Sequence, residues 1–73
     1  MRDAGTIRER IFNALIKRYT AEQEEALVKI DALIKGEVVP GHYDMTGEID
    51  KLLAKVADAA EKMATLRRFY GTN

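Results

Sequence analysis

Apolar residues recur in the first half of the chain at alternating steps of four and three. This spacing is typical of a helix that carries one apolar stripe. Thr6 and Glu9 have the spacing of a capping box at its start, and Gly36 follows its last periodic residue. The pattern predicts one helix over residues 7–35, roughly 44 Å long at about 1.5 Å per residue. The stripe consists of Phe12, Ile16, Tyr19, Gln23, Ala26, Ile30 and Leu33.

The segment around Thr20 permits a second interpretation. Thr20 and Gln23 also have the spacing of a capping box, so a new helix starting there gives three helices instead of two. However, the stripe keeps its phase across Thr20, and no Gly or Pro interrupts it. A new helix has no reason to keep the phase of the previous one. A continuous helix is therefore the prediction, and a three-helix bundle with a break near Thr20 is the alternative.

A second stripe runs through the C-terminal half with a period of 3.5 residues, as in coiled coils and helix bundles. It predicts a helix over about 46–70 that packs antiparallel on the first. Residues 36–45 form the connection, with a turn at Pro40-Gly41, and Asp44 or Thr46 caps the second helix. The whole chain, 1–73, is predicted to be a single all-α domain. The stripe consists of Met45, Ile49, Leu52, Val56, Ala59, Met63, Leu66 and Tyr70.

Another apolar series lies beside this stripe on the same helix: Leu53, Ala57, Ala60 and Ala64. A helix with two adjacent apolar seams contacts two neighbours, whereas a hairpin offers it only one. A chain of 73 residues without cysteine also has few other routes to a stable fold. We therefore expect two hairpins to associate as a homodimeric four-helix bundle through this seam, with close helix approach at Ala60.

The two stripes also predict the register of the hairpin. Packing them antiparallel around the connection places Ile30 near Ile49 and Gln23 near Val56. Gln23 is the polar member of its stripe, and two interpretations remain open. It is either a buried polar group that fixes the register or a residue at the seam edge with its amide in water. The second interpretation is preferred.

Formal charge balances, with twelve basic and twelve acidic side chains. A balanced chain has no general attraction to nucleic acid or to membranes. No apolar run approaches the roughly 20 residues of a membrane span, and the first residues do not suit a signal peptide. We expect a soluble cytoplasmic protein that does not associate with membranes.

Basic residues nevertheless gather where the hairpin brings both termini together, and Glu37, Asp44, Glu48 and Asp50 gather at the loop end. Helix dipoles account for part of this pattern, but not for arginines at a helix N-terminus. The asymmetry predicts either an antiparallel dimer, in which basic and acidic ends meet, or contacts with phosphate or an acidic protein. The basic residues are Arg8, Arg10, Lys17, Arg67 and Arg68.

Residues suited to catalysis or metal binding do not form a recognisable set. His42 is the single histidine and is expected to be exposed in the connection. The carboxylates near mid-helix lack the helical histidines of a di-iron bundle, and a solvated face is expected instead. There is no nucleophile triad and no phosphate-binding loop. The prediction is a protein without enzyme activity, cofactor or metal. These carboxylates are Glu22, Glu24, Glu25, Asp58 and Glu61.

Two functions fit these features. The first is a small protein–protein interaction module, a self-associating hairpin that docks a larger, unidentified protein. The alternative is a helical dimer that binds nucleic acid through its basic end. The zero net charge and the lack of a recognition-helix motif weigh against the alternative.

Overall fold

The computed structural model describes residues 6–36 and 44–71, and this part of the chain forms two helices. Helix α1 spans Ile7–Lys35 and helix α2 spans Met45–Tyr70. The two helices pack against each other as an antiparallel hairpin. The predicted all-α hairpin is confirmed, with α2 starting one residue earlier than expected.

Specific caps begin and end α1. The Thr6 hydroxyl accepts a hydrogen bond from the Glu9 amide at 3.1 Å, and the Glu9 carboxylate accepts one from the Thr6 amide at 3.2 Å. This is the predicted capping box, and it satisfies two amides that the first turn leaves without helical partners. At the other end Gly36 has φ +77°, a left-handed conformation that stops the helix and that glycine adopts without steric cost.

Thr20 lies inside α1, in the middle of an uninterrupted helix. Its hydroxyl donates to the Ile16 carbonyl at 2.8 Å, the bond that a mid-helix threonine makes to the preceding turn. A capping residue has non-helical backbone angles and accepts a hydrogen bond from an amide ahead of it. The three-helix alternative with a break near Thr20 is therefore wrong.

Asp44 caps α2. Its carboxylate accepts from the Gly47 amide at 3.0 Å and from the Thr46 hydroxyl at 3.3 Å, so Thr46 supports the cap instead of forming it. The predicted connection, 36–45, thus begins at the C-cap of α1 and ends at the N-cap and first residue of α2. Its interior, residues 37–43, lies outside the described residues, and so does the expected position of His42.

The core between the helices is thin. All of its buried residues belong to the two predicted stripes, and two of them are alanines. No large side chain of the described residues is fully buried, and the other stripe members are half-buried or exposed. The hairpin therefore covers only a narrow seam of each helix. The buried residues are Ala26, Ile30, Leu33, Ala59 and Met63.

A hydrogen bond from Gln23 to the other helix shows the register of the hairpin. The side-chain amide nitrogen of Gln23 donates to the Val56 carbonyl at 3.2 Å. The predicted pairing of Gln23 with Val56 is confirmed. The preferred interpretation, an amide facing water, is wrong, because the half-buried side chain bonds to the backbone of the other helix.

Candidate functional site

The two broad faces of the hairpin differ in chemistry. Between the helices, on one side, runs a groove lined by Glu22 and Lys29 from α1 and by Lys55 and Lys62 from α2. Each of these residues comes one position before a residue of its helix stripe. We call this side the charged face. Residues one position after a stripe residue must then share the opposite side of the hairpin, on both helices.

The opposite side contains the predicted dimer seam. Each seam residue directly follows a stripe residue, so the geometry places all four on this side. All four are exposed in the hairpin, and Leu53, the largest of them, is 50% exposed. We call this side the alanine face. On α2 it consists of Leu53, Ala57, Ala60 and Ala64.

α1 also contributes to the alanine face. Thr20, Leu27 and Ile34 recur every seven residues on this side, with Glu24 and Asp31 between them, and the Thr20 hydroxyl lies 3.6 Å from the sulfur of Met63 on α2. Leu27 and Ile34 are both exposed. This half of the surface was not predicted from the sequence, because Leu27 and Ile34 lie close in phase to the α1 stripe.

A second apolar surface lies at the end of the hairpin that contains the N-terminus of α1 and the C-terminus of α2. A groove of about 400 Å³ runs there between the first turns of α1 and the last turns of α2. Ile7 is 72% exposed and Ile11 is 56% exposed. Ile11 and Leu15 each precede a stripe residue, so this surface continues the charged face and lies opposite the alanine face. We call it the terminal groove, and it is lined by Ile7, Arg8, Ile11, Phe12, Leu15, Leu66 and Tyr70.

The five predicted basic contact residues do not form one surface. The Arg8 guanidinium lies 5.9 Å from the centre of the Tyr70 ring, on the last turn of α2, which also carries Arg67 and Arg68. Arg10 lies two residues before Phe12, about 200° around the helix, and projects from the side of α1 that faces away from α2. Lys17 directly follows Ile16 and lies between that side and the alanine face.

Ion pairs on the charged face are exposed. The Arg18 and Glu22 side chains lie 3.7 Å apart, and the Lys62 ammonium lies 3.1 Å from the Asp58 carboxylate. The hydrogen bond and the negative charge of Asp58 raise the pKa of Lys62 above its ordinary value. Exposed pairs of this kind contribute little to stability. Glu22 and Asp58 thus lie on a solvated face, as expected for the mid-helix carboxylates.

Within residues 6–36 and 44–71, no three histidine, cysteine or carboxylate side chains come together as a metal site would require. Neither described helix combines the length and apolar character needed to cross a bilayer. No protein-family model, curated protein or solved structure matches the chain significantly. The two apolar surfaces are the features of the described residues that point to a function.

Proposed function

We propose that this protein is a non-enzymatic interaction module that forms a homodimeric four-helix bundle through its alanine face and docks a larger protein partner. One observation carries the proposal. Among residues 6–36 and 44–71 the hairpin buries five residues, two of them alanines, and leaves a continuous apolar seam of α2 exposed. A core of this size supplies little stability alone, and oligomerisation is a common remedy in small folds without disulfides.

The composition of the alanine face suits contact with another helix. Alanine side chains allow two helix backbones to approach closely, and Leu53 at one end of the seam provides a large side chain. When two copies of α2 run antiparallel, Leu53 of one faces Ala64 of the other. A large residue then packs on a small one at both ends of the contact, which favours interdigitation.

Charge favours the same antiparallel orientation. The terminal end, residues 6–18 and 65–71, holds six basic side chains and one acidic side chain, a net charge of +5. The rest of the described chain, residues 19–36 and 44–64, holds five basic and nine acidic side chains, a net charge of −4. A parallel dimer places two strongly positive ends side by side, whereas an antiparallel dimer places each beside negative charge.

Sedimentation equilibrium at micromolar concentration tests the dimer. We expect the parent chain to sediment as a dimer and Ala60→Glu as a folded monomer, because the new carboxylate loses its water in the dimer contact. Ala54→Glu is the matched control. Ala54 is exposed on the same helix but lies about 120° away from Ala60, outside the alanine face. A parent chain that stays monomeric at high concentration contradicts the proposal.

The positive terminal end supports a second candidate function, a dimer that binds nucleic acid. Its contacts are Arg8, Arg10, Lys17, Arg67 and Arg68. Their placement on different sides of the hairpin weighs against a single phosphate-binding surface. Titration of a DNA or RNA duplex at several salt concentrations tests it, since phosphate contacts weaken steeply as salt rises.

A further inference from the structure

The terminal groove differs from the alanine face in its position and in the charge around it. It lies on the opposite side of the hairpin, so pairing through the alanine face leaves it accessible. Arg8 belongs to its lining, Arg18 lies beyond Leu15, and Lys62 lies one turn before Leu66, next to Asp58 and Glu61. A large apolar surface with a polar rim is typical of a protein-binding site.

The shape of the groove fits a helix. Ile7, Ile11 and Leu15 form a row of i, i+4 steps along α1, and Leu66 and Tyr70 form the facing row on α2. The eight residue steps from Ile7 to Leu15 extend about 12 Å, or slightly more than two helical turns. A third helix laid between these rows would place apolar residues of its own at i, i+3 or i+4, and i+7 into the groove.

The charge around the groove indicates the charge that the remaining side chains of such a helix should carry. Glu9 is the only acidic side chain among residues 6–18 and 65–71, and its carboxylate is engaged in the capping box. Arg18 and Lys62 are paired with Glu22 and Asp58, but these pairs are exposed and exchange partners at little cost. We propose that the terminal groove binds an acidic amphipathic helix of a partner protein. This inference names the partner of the docking role in the proposed function, and it does not depend on dimerisation.

A designed peptide tests the inference on the full chain. The probe is a fluorescein-labelled helix of about three to four turns, with leucines on one face and glutamates elsewhere. Two control peptides replace the glutamates by lysines or the leucines by serines. Fluorescence anisotropy should show saturable binding of the acidic amphipathic peptide and much weaker binding of both controls. Equal binding of the lysine peptide overturns the charge argument, and absence of saturable binding overturns the proposal.

Matched variants locate the binding site. Ile11→Ser should weaken binding by about tenfold or more, because it removes a large apolar contact. Val28→Ser is the control and should leave binding within about twofold. Val28 is 65% exposed on the same helix but lies outside both apolar surfaces. Equal losses in the two variants, or no loss in Ile11→Ser, contradict the assignment.

Other occupants of the groove give different results. If Ile11→Ser turns a dimer into a monomer, the groove is a contact between copies. If Ile11→Ser abolishes binding to phosphatidylserine vesicles or to a DNA duplex while the peptide does not bind, the ligand class is wrong. Ala60→Glu separates the two proposals, because a monomeric Ala60→Glu chain should still bind the acidic peptide. Loss of the dimer in the parent chain leaves this inference intact, and loss of peptide binding leaves the dimer intact.

Discussion

Gln23 is a seam residue that also makes a hydrogen bond to the other helix. It occupies a position where the pattern calls for an apolar side chain, and its amide bonds to the Val56 carbonyl across the helix contact. The sequence predicted which residue Gln23 faces, because the register follows from the phase of two stripes. It did not predict the bond, since the reach of a long side chain to a backbone carbonyl depends on how closely the helices approach.

Substitution of Gln23 by residues of different size separates volume from hydrogen bonding. Val56 lies inside α2, where its carbonyl also accepts the helical bond from the amide of residue 60, so loss of the glutamine leaves no orphaned acceptor. We expect Gln23→Ala to cost about 1 kcal/mol and Gln23→Leu to be neutral or stabilising by up to about 1 kcal/mol. Chemical denaturation at one protein concentration measures both. If the leucine variant loses as much as the alanine variant, the hydrogen bond carries the contribution.

At the scale of the elements, helix α1 shows that the phase of the apolar stripe outweighs a local capping signal. Thr6 and Thr20 are both followed three residues later by Glu or Gln, yet only Thr6 forms a cap. The difference lies beyond the local motif. The apolar stripe keeps its phase across Thr20, and burial of this stripe stabilises the helix on both sides of Thr20. The start of α2 was less predictable, since Asp44 and Thr46 are both suitable caps and differ by only two residues.

Alanine substitutions test the continuity of α1. Thr6→Ala removes the side-chain acceptor of the Glu9 amide and should cost about 1 kcal/mol, within a range of roughly 0.5–2 kcal/mol. Thr20→Ala should be neutral or stabilising by a few tenths of a kcal/mol, because alanine has the higher helix propensity and no amide loses a cap. Denaturation curves at matched protein concentration compare the two. A loss at Thr20 equal to that at Thr6 is incompatible with a continuous helix.

At the scale of the whole molecule, the two apolar surfaces lie on opposite sides of the hairpin. The α2 half of the alanine face was predictable, because four residues at steps of four and three stand beside a complete stripe. The α1 half and the terminal groove were not. Leu27 and Ile34 lie so close to the α1 stripe in phase that only the packed helices show which side they occupy. The terminal groove needs Ile11 and Tyr70, which are distant in sequence, to be brought together.

Cysteine cross-linking tests the orientation of the proposed dimer, because the chain contains no native cysteine. In an antiparallel dimer Ala57 and Ala60 lie near the twofold axis, so Ala60→Cys should form a disulfide with its own copy under mild oxidation. Ala64→Cys should not, since disulfides require Cα atoms within about 7 Å. Mixing Ala64→Cys with Leu53→Cys should restore cross-linking. Efficient self-linking of Ala64→Cys, seen on non-reducing gels, would rule out this orientation.

The uneven distribution of the thin core has a consequence for local opening of the hairpin. The buried residues of the described chain are Ala26, Ile30 and Leu33 on α1 and Ala59 and Met63 on α2, so none of them lies within residues 6–18 or 65–71. The terminal end is held by half-buried and exposed contacts, and segments with few buried contacts open at a lower free energy than the rest. We therefore expect amide exchange in the first turns of α1 and the last turns of α2 to be fast relative to the segment around Ile30. A ligand bound between Ile11 and Leu66 should stabilise that end and slow its amide exchange. Ligand binding is then coupled to the local folding of the terminal end.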